Sequence, residues 1–140
     1  MKVLIAEPIA NEGIDILREY AEVDIKLGLT PDELLSIIGD YEALVVRSQT
    51  RVSAKVIEAG QKLQVIARAG VGVDNIEVDE ATWRGIVVVN APSGNIISAA
   101  EHTIALMLSL ARHIPQANAM LKSGSGDELI LWVLKSETRH

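Results

Sequence analysis

Residues 68–75, with the sequence RAGVGVDN, are the stretch of this chain best suited to binding chemistry. Gly70 and Gly72 are separated by one residue and follow an apolar run that includes Val65 and Ile66. A glycine turn after a buried strand lets backbone N–H groups approach an anion closely. The spacing is therefore compatible with a turn that binds a phosphate or carboxylate group.

The turn lacks a complete dinucleotide fingerprint. The pattern G-x-G-x-x-G requires a third glycine, but Asn75 stands at that position. An acidic residue is also expected about twenty positions further on, where the chain has Val88, Val89 and Asn90. Three interpretations stay open from these residues alone: an ordinary tight turn, an anion-binding turn for a ligand smaller than a dinucleotide, and a dinucleotide-binding turn.

Two arginines favour the anion-binding interpretation. Arg47 ends the third predicted strand and Arg68 ends the fourth, so both side chains are expected near the same crevice. A guanidinium group binds carboxylate or phosphate through two parallel hydrogen bonds. The alternative is that both arginines are solvated residues at strand ends, or that they pair with Asp74 or Glu77.

The elements that position these residues follow from the apolar pattern. Strands are predicted at residues 2–7, 22–27, 42–48, 63–69 and 86–90. Helices are predicted over residues 11–19, after a capping box formed by Thr30 and Glu33, after Ser53, and over residues 78–84. This alternation without hairpin signals predicts an α/β fold with a doubly wound parallel sheet of about five strands.

Composition excludes several classes of function. The chain has 140 residues, a net charge of −6, no cysteine and no cluster of Lys and Arg. Nucleic acid and anionic membranes are therefore poor partners, and neither a disulfide framework nor a thiolate metal site is expected. No signal peptide and no membrane-spanning run are apparent. We expect a cytoplasmic protein.

A long apolar helix is predicted over residues 96–122. Its sequence leaves almost no polar face, so we expect another surface, of this chain or of a second one, to cover it. Ser98 and Glu101 predict its amino-terminal capping box, and Pro115 is expected to end or kink it. The tail at residues 123–140 begins like a flexible linker and contains a short apolar run whose role the composition leaves open.

Four motifs carry a resemblance to a known family. VVRSQT, ARAGVGVDNI, GIVVVNAPSGN and SAAEHTIALMLSLAR occur in an order and spacing that resemble the D-2-hydroxyacid dehydrogenases, and within them the amino-terminal part of the D-3-phosphoglycerate dehydrogenases. The resemblance covers about residues 1–124, while residues 125–140 lie outside it. It implies a flavodoxin-like substrate-binding domain, incomplete at residues 1–95, and a helix at 96–122 that leads into a nucleotide-binding domain.

The resemblance also implies a reaction and a binding site. The reaction is the oxidation of 3-phosphoglycerate to 3-phosphohydroxypyruvate with NAD, the first committed step of serine synthesis. Val71 is the position expected to touch both substrate and cofactor. The implied substrate-binding positions are Arg47, Ser48, Arg68, Gly70, Val71, Gly72 and Asn95.

The family's catalytic residues have no counterpart in this sequence. In the family, the nucleotide-binding fingerprint, the catalytic His with its carboxylate partner and a substrate-orienting Arg all come later in the chain. His102, His113 and His140 match none of these positions, and no metal-ligand constellation is predicted. We therefore expect no catalysis and no tight NAD binding by this chain alone, and weak binding of 3-phosphoglycerate.

Two other kinds of protein fit parts of the sequence. A truncated or engineered module that forms a homo-oligomer through the long helix would need no catalytic role. A flavodoxin or a receiver domain would share the fold. However, Glu7 and Pro8 stand where a flavodoxin needs its phosphate loop, and Arg47 stands where a receiver needs an Asp.

Overall fold

The computed structural model describes residues 1–124. Contacts divide the chain into two compact units, Met1–Asn95 and Ile96–His140. The first unit contains strands β1 (Lys2–Ile5), β2 (Glu22–Ile25), β3 (Ala43–Val46), β4 (Val65–Arg68) and β5 (Val87–Asn90), and helices α1 (Asn11–Tyr20), α2 (Pro31–Ile37), α3 (Ala54–Ala59) and α4 (Val78–Trp83).

The five strands form one parallel sheet in the order β2-β1-β3-β4-β5. This is the flavodoxin-like order, and it confirms the fold class predicted from the sequence. All five carboxyl ends meet at one edge of the sheet because every pairing is parallel. The segments that follow β3, β4 and β5 are thereby brought side by side.

Aliphatic side chains pack on both faces of the sheet around its central strands, while the edge strands β2 and β5 are exposed or half-buried. One face packs under α2, α3 and α4, and its centre is formed by Leu4, Leu44 and Ile66, none of which is exposed. The other face packs under α1 around Ile14. Such continuous apolar strands are typical of a parallel sheet covered by helices.

The capping box predicted for α2 is present. The backbone N–H of Glu33 donates to Thr30 Oγ1 at 3.3 Å, and Glu33 Oε2 accepts from the backbone N–H of Thr30 at 2.8 Å. Two amino-terminal N–H groups are satisfied in this way. The box fixes the start of α2 at the position that the sequence indicates.

The second unit differs from its prediction in the number of helices and in the cap, whereas the break expected at Pro115 is confirmed. The single helix expected over residues 96–122 is two helices, α5 (Ile96–Ala111) and α6 (Ile114–Lys122), and His113 between them has a φ of 50°. Pro115 accounts for the break, because proline cannot donate the hydrogen bond that a continuous helix needs. It sits instead in the first turn of α6, where that donor is not required.

The predicted cap of this helix is also wrong. Because residues 92–95 already form turns that run into the helix, α5 begins at Ile96 and Ser98 lies inside its first turn. The pair Ser98 and Glu101 therefore does not form the capping box. No residue of α5 is buried. No helix within residues 1–124 is long and apolar enough to cross a membrane.

Candidate functional site

A cavity of about 490 Å³ lies at the carboxyl edge of the sheet, beyond β3, β4 and β5. All seven residues predicted to bind substrate line it, together with Ala69, Ala91 and Gly94. Those seven are Arg47, Ser48, Arg68, Gly70, Val71, Gly72 and Asn95. The structure thus brings the predicted residues together, and their binding roles stay predictions.

The glycine turn is tied to the strands on both sides of it. The N–H of Ala69 donates to the carbonyl of Val46 at 2.8 Å, and the N–H of Ala91 donates to the carbonyl of Gly70 at 2.9 Å. Asn90 Nδ2 donates to the carbonyl of Val71 at 2.6 Å. These bonds fix the position of the turn relative to the carboxyl ends of β3 and β5.

Not all of the turn's own N–H groups are free to bind a ligand. The N–H of Gly70 donates within the turn, to the carbonyl of Arg68 at 2.8 Å. Within residues 1–124, the N–H groups of Val71 and Gly72 donate to no protein atom. Both residues line the cavity, so two backbone donors are available there.

The space above Gly70 is occupied by an arginine. A Cβ built on Gly70 would lie 2.6 Å from Arg68 Nη1 and 3.0 Å from Arg68 Cζ, distances at which atoms overlap. The turn is also not followed at once by a helix, because α4 begins only at Val78. A pyrophosphate cradle needs both an open glycine and an adjacent helix terminus. The turn therefore does not fit a dinucleotide.

Neither arginine of the cavity is neutralised by an acid. Within the described part of the chain, Arg47 and Arg68 form no ion pair with Asp74 or Glu77, and Glu77 pairs with Arg51 at 3.1 Å. The guanidinium of Arg47 donates to the carbonyl of Pro8 at 3.4 Å, and Arg68 Nε donates to the carbonyl of Arg47 at 3.3 Å. The alternative in which both arginines pair with neighbouring acids is therefore wrong.

Glu7 supports this site from outside the cavity, a role that the sequence analysis did not identify. It follows β1, is 5% exposed, and accepts hydrogen bonds from the backbone N–H groups of Arg47 at 2.8 Å, Gln49 at 3.1 Å and Thr50 at 2.8 Å. Burial raises the pKa of the carboxyl group, but the hydrogen bonds outweigh burial and leave that pKa below its usual value. Glu7 is therefore held as a carboxylate.

The position of Glu7 explains where the cavity lies. In this strand order, the crevice that usually takes the ligand opens between β1 and β3. Here the Glu7 carboxylate occupies that place and binds the segment that follows β3. The sequence offered one signal of this role, which was an acidic residue at the end of a buried strand.

Asn75 is the second residue whose role was missed. Its Nδ2 donates to the carbonyl of Arg47 at 2.8 Å and to that of Thr50 at 2.7 Å. Its Oδ1 is buried and has no hydrogen-bond partner within residues 1–124. In the sequence analysis, Asn75 was considered only because it stands where the dinucleotide pattern needs a third glycine. In the structure, its side chain donates two hydrogen bonds to the segment that also binds Glu7.

The cavity contains no group suited to proton transfer. Its lining residues include no His, Asp or Glu. His102 lies on α5 and His113 lies between α5 and α6, and no described group of His, Asp and Glu could hold a metal ion. The chemistry that the cavity offers is binding of an anion by guanidinium, hydroxyl, amide and backbone N–H groups.

Comparison with known proteins bears on this site. A sequence model described as the catalytic domain of D-isomer specific 2-hydroxyacid dehydrogenases matches residues 3–139. The matched range continues past residue 124, where the resemblance found in the sequence stops. The D-3-phosphoglycerate dehydrogenase of Archaeoglobus fulgidus is 59% identical over 125 residues, which are 89% of this chain and 24% of that protein. The enzyme of the same name from Synechocystis is 54% identical, over 86% of this chain and 22% of that protein.

Solved structures agree with these matches. A protein from Thermus thermophilus has a TM-score of 0.80 and 33% identity, over 89% of this chain and 41% of that one. A 3-phosphoglycerate dehydrogenase from Entamoeba histolytica, solved with NAD+ bound, has a TM-score of 0.71 and 30% identity, over 80% of this chain and 39% of that one. The chain spans about a quarter of the length of the curated relatives it matches.

Proposed function

The chain belongs to the D-isomer specific 2-hydroxyacid dehydrogenase family, and we propose that it is the substrate-binding part of an NAD-dependent D-3-phosphoglycerate dehydrogenase. The proposed reaction of the whole enzyme is the oxidation of 3-phosphoglycerate to 3-phosphohydroxypyruvate in serine biosynthesis. The proposal includes a location in the cytoplasm. It is supported by the relatives of that name, which are 59% and 54% identical to this chain.

The observation that carries the proposal is a set of hydrogen-bond donors around one cavity that have no acidic partner within residues 1–124. Among the described residues 1–124, Arg47 and Arg68 supply two guanidinium groups without acidic partners, and Val71 and Gly72 supply two N–H groups that donate to no protein atom. Guanidinium and backbone N–H groups are the preferred partners of phosphate and carboxylate. These donors exceed what one carboxylate needs, which favours a substrate with two anionic groups such as 3-phosphoglycerate.

The proposal assigns no step of hydride or proton transfer to residues 1–124. The glycine turn does not fit a dinucleotide, and the cavity has no acid or base. When bound, NAD supplies the hydride acceptor, and we assign only Val71, which is 41% exposed, to contact with it. We expect no dehydrogenase activity and no tight NAD binding from this chain by itself.

An amide NMR titration of the purified chain tests the proposal, with 3-phosphoglycerate in one series and NAD in another. We expect 3-phosphoglycerate to shift the resonances of Arg47, Arg68 and Gly70–Gly72, and NAD to shift them little. D-lactate, with a single carboxylate, is the matched ligand and should bind more weakly. Strong shifts with NAD alone, or none with 3-phosphoglycerate, would contradict the proposal.

A second proposal concerns self-association. Large apolar side chains of α5 are more than half exposed, including Ile104 at 52%, Leu106 at 58% and Leu110 at 74%. Apolar surface of this extent is typical of an interaction site. We propose that the chain forms a homo-oligomer through α5, which is compatible with the enzyme proposal and also stands without it.

A further inference from the structure

We propose that Glu7 and Asn75 are positioning residues that together hold the anion site in its binding conformation. They act on the segment at residues 47–50, which we call the β3 loop. Glu7 accepts from its N–H groups and Asn75 donates to its carbonyl groups. The inference rests on the proposed function, because it assumes that the cavity beside this loop binds an anion.

The β3 loop has little regular structure to support its backbone. It lies between β3 and Val52, which forms a single bridge with Ile76. Three of its four N–H groups bind the Glu7 carboxylate, and two of its carbonyl groups bind the Asn75 amide. The side chains of Glu7 and Asn75 therefore supply the backbone hydrogen bonds that a neighbouring strand supplies in a sheet.

The pattern of these bonds leaves one residue free for the ligand. Within residues 1–124, Ser48 is the residue of the β3 loop whose N–H and hydroxyl bind no protein atom. It lines the cavity beside Arg47. The donors of the site are thus set in place before a ligand arrives, which lowers the entropy lost on binding.

The direction in which anion affinity changes when Glu7 is neutralised separates the positioning role from a purely electrostatic or purely stabilising one. Glu7 is an anion close to a proposed anion site, so by Coulomb attraction and repulsion alone its neutralisation should tighten anion binding. If Glu7 only stabilised the fold, its neutralisation would lower stability and leave the affinity of the folded protein unchanged. A positioning role predicts the opposite of the Coulomb effect, which is weaker binding by a protein that stays folded.

The experiment compares Glu7→Gln and Asn75→Ala with the unaltered 140-residue chain. Glutamine keeps the size of Glu7 but presents an NH2 group to a loop that offers N–H groups. Glu33→Gln is the matched control, since Glu33 also accepts a backbone N–H and has a lowered pKa but lines no part of the cavity. The dissociation constant for 3-phosphoglycerate is measured by NMR under conditions where each variant is folded.

We expect Glu7→Gln to raise the dissociation constant about tenfold, because it loses charge-assisted hydrogen bonds. Asn75→Ala should raise it less, by about threefold, because the bonds that Asn75 donates to two carbonyls join neutral groups. Glu33→Gln should leave it unchanged. In Glu7→Gln without ligand, the amide resonances of Arg47, Gln49 and Thr50 should already move. Because both residues act on one loop, the double variant should lose less affinity than the product of the two single effects.

The remaining outcomes overturn either the positioning role alone or the proposed function as well. An unchanged or lower dissociation constant in folded Glu7→Gln overturns the positioning role while leaving the proposed function in place. Failure of the unaltered chain to bind 3-phosphoglycerate overturns the proposed function, and the positioning role with it. Should Glu7→Gln not fold, Asn75→Ala decides the question, because it leaves the buried carboxylate intact, and unchanged affinity in that variant overturns the inference.

Discussion

The guanidinium of Arg68 lies against Gly70, so closely that a Cβ at residue 70 would be 2.6 Å from Nη1. Arg68 Nε also donates to the carbonyl of Arg47, at 3.3 Å. The absence of a side chain at residue 70 therefore leaves the space that the guanidinium of Arg68 occupies. A sequence pattern that resembles a nucleotide-binding turn has a different physical cause here.

Gly70→Ala should weaken anion binding while changing stability little. The added methyl group meets the end of a flexible side chain, so Arg68 can move aside without disturbing the fold, but it leaves its place in the cavity. Calorimetric titration with 3-phosphoglycerate, together with thermal unfolding, measures both effects. Gly13→Ala is the control: a Cβ there meets only Ile9 at 3.8 Å, and the helix should gain about 0.5–1 kcal/mol with no change in affinity. Normal affinity in Gly70→Ala would show that the placement of Arg68 is not needed.

Replacing Arg47 or Arg68 by alanine should raise the dissociation constant for 3-phosphoglycerate by at least about tenfold, since a hydrogen bond to a charged group is worth about 1.5–3 kcal/mol. Lysine at either position should restore only part of the affinity, because it lacks the paired geometry of the guanidinium. Arg84→Ala is the control, since Arg84 pairs with Glu80 at 2.5 Å and lies outside this cavity. Equal losses in all three alanine variants, measured by the same titration, would point to general charge and not to this site.

Glu7 should contribute stability that disappears in acid. Its folded pKa is lowered, so the unfolded chain takes up the proton first as pH falls. The contribution is complete above the unfolded pKa of about 4.3, and it is lost as pH falls through the lower folded pKa. Urea unfolding of the unaltered chain and of Glu7→Gln should give a constant difference in unfolding free energy above about pH 5.5.

Below that range the difference should shrink. Asp24, Glu33 and Glu42 also have lowered pKa values, so the unaltered chain loses stability in acid for several reasons at once. Subtracting the Glu7→Gln curve removes the part that these groups share. A difference that stays constant down to about pH 3 would show that Glu7 titrates alike in both states.

Charges placed on α5 should dissociate the proposed oligomer. Leu106 and Leu110 lie one turn apart and share a helix face. Glu at both positions should shift the chain toward monomer in light scattering, because burying two carboxylates in an apolar interface is costly. Ile16→Glu, at an apolar residue of α1 that is 60% exposed, should leave the mass unchanged. A monomeric unaltered chain would contradict the proposal at the outset.

The parts that the sequence predicted depend on local patterns. Apolar runs marked β1, β3, β4 and β5, and alternation marked β2. The pattern is strongest in β1 and β3, because a buried strand leaves little choice of residue. The box of Thr30 and Glu33 was found because its partners are three residues apart. The crevice was predicted because Arg47 and Arg68 stand at the carboxyl ends of two strands, and parallel strands end at one edge of the sheet.

The parts that were missed depend on contacts between distant residues. The bonds from Glu7 reach residues 40 to 43 positions away, and no local pattern distinguishes such a carboxylate from a solvated one. Asn75 bonds residues 25 and 28 positions away. The predicted cap at Ser98 was wrong although its local pattern was that of a capping box. The turns at residues 92–95 start the helix before Ser98 is reached.

The bonds that fix the β3 loop have a consequence for how the proposed anion site can change by mutation. Glu7 binds the main-chain N–H groups of Arg47 and Gln49, and Asn75 binds only main-chain carbonyls. The path of the loop is thus largely independent of which side chains it carries at residues 47–49. Mutation can exchange those side chains, and with them the charge and shape of the cavity wall, while the scaffold beneath stays the same.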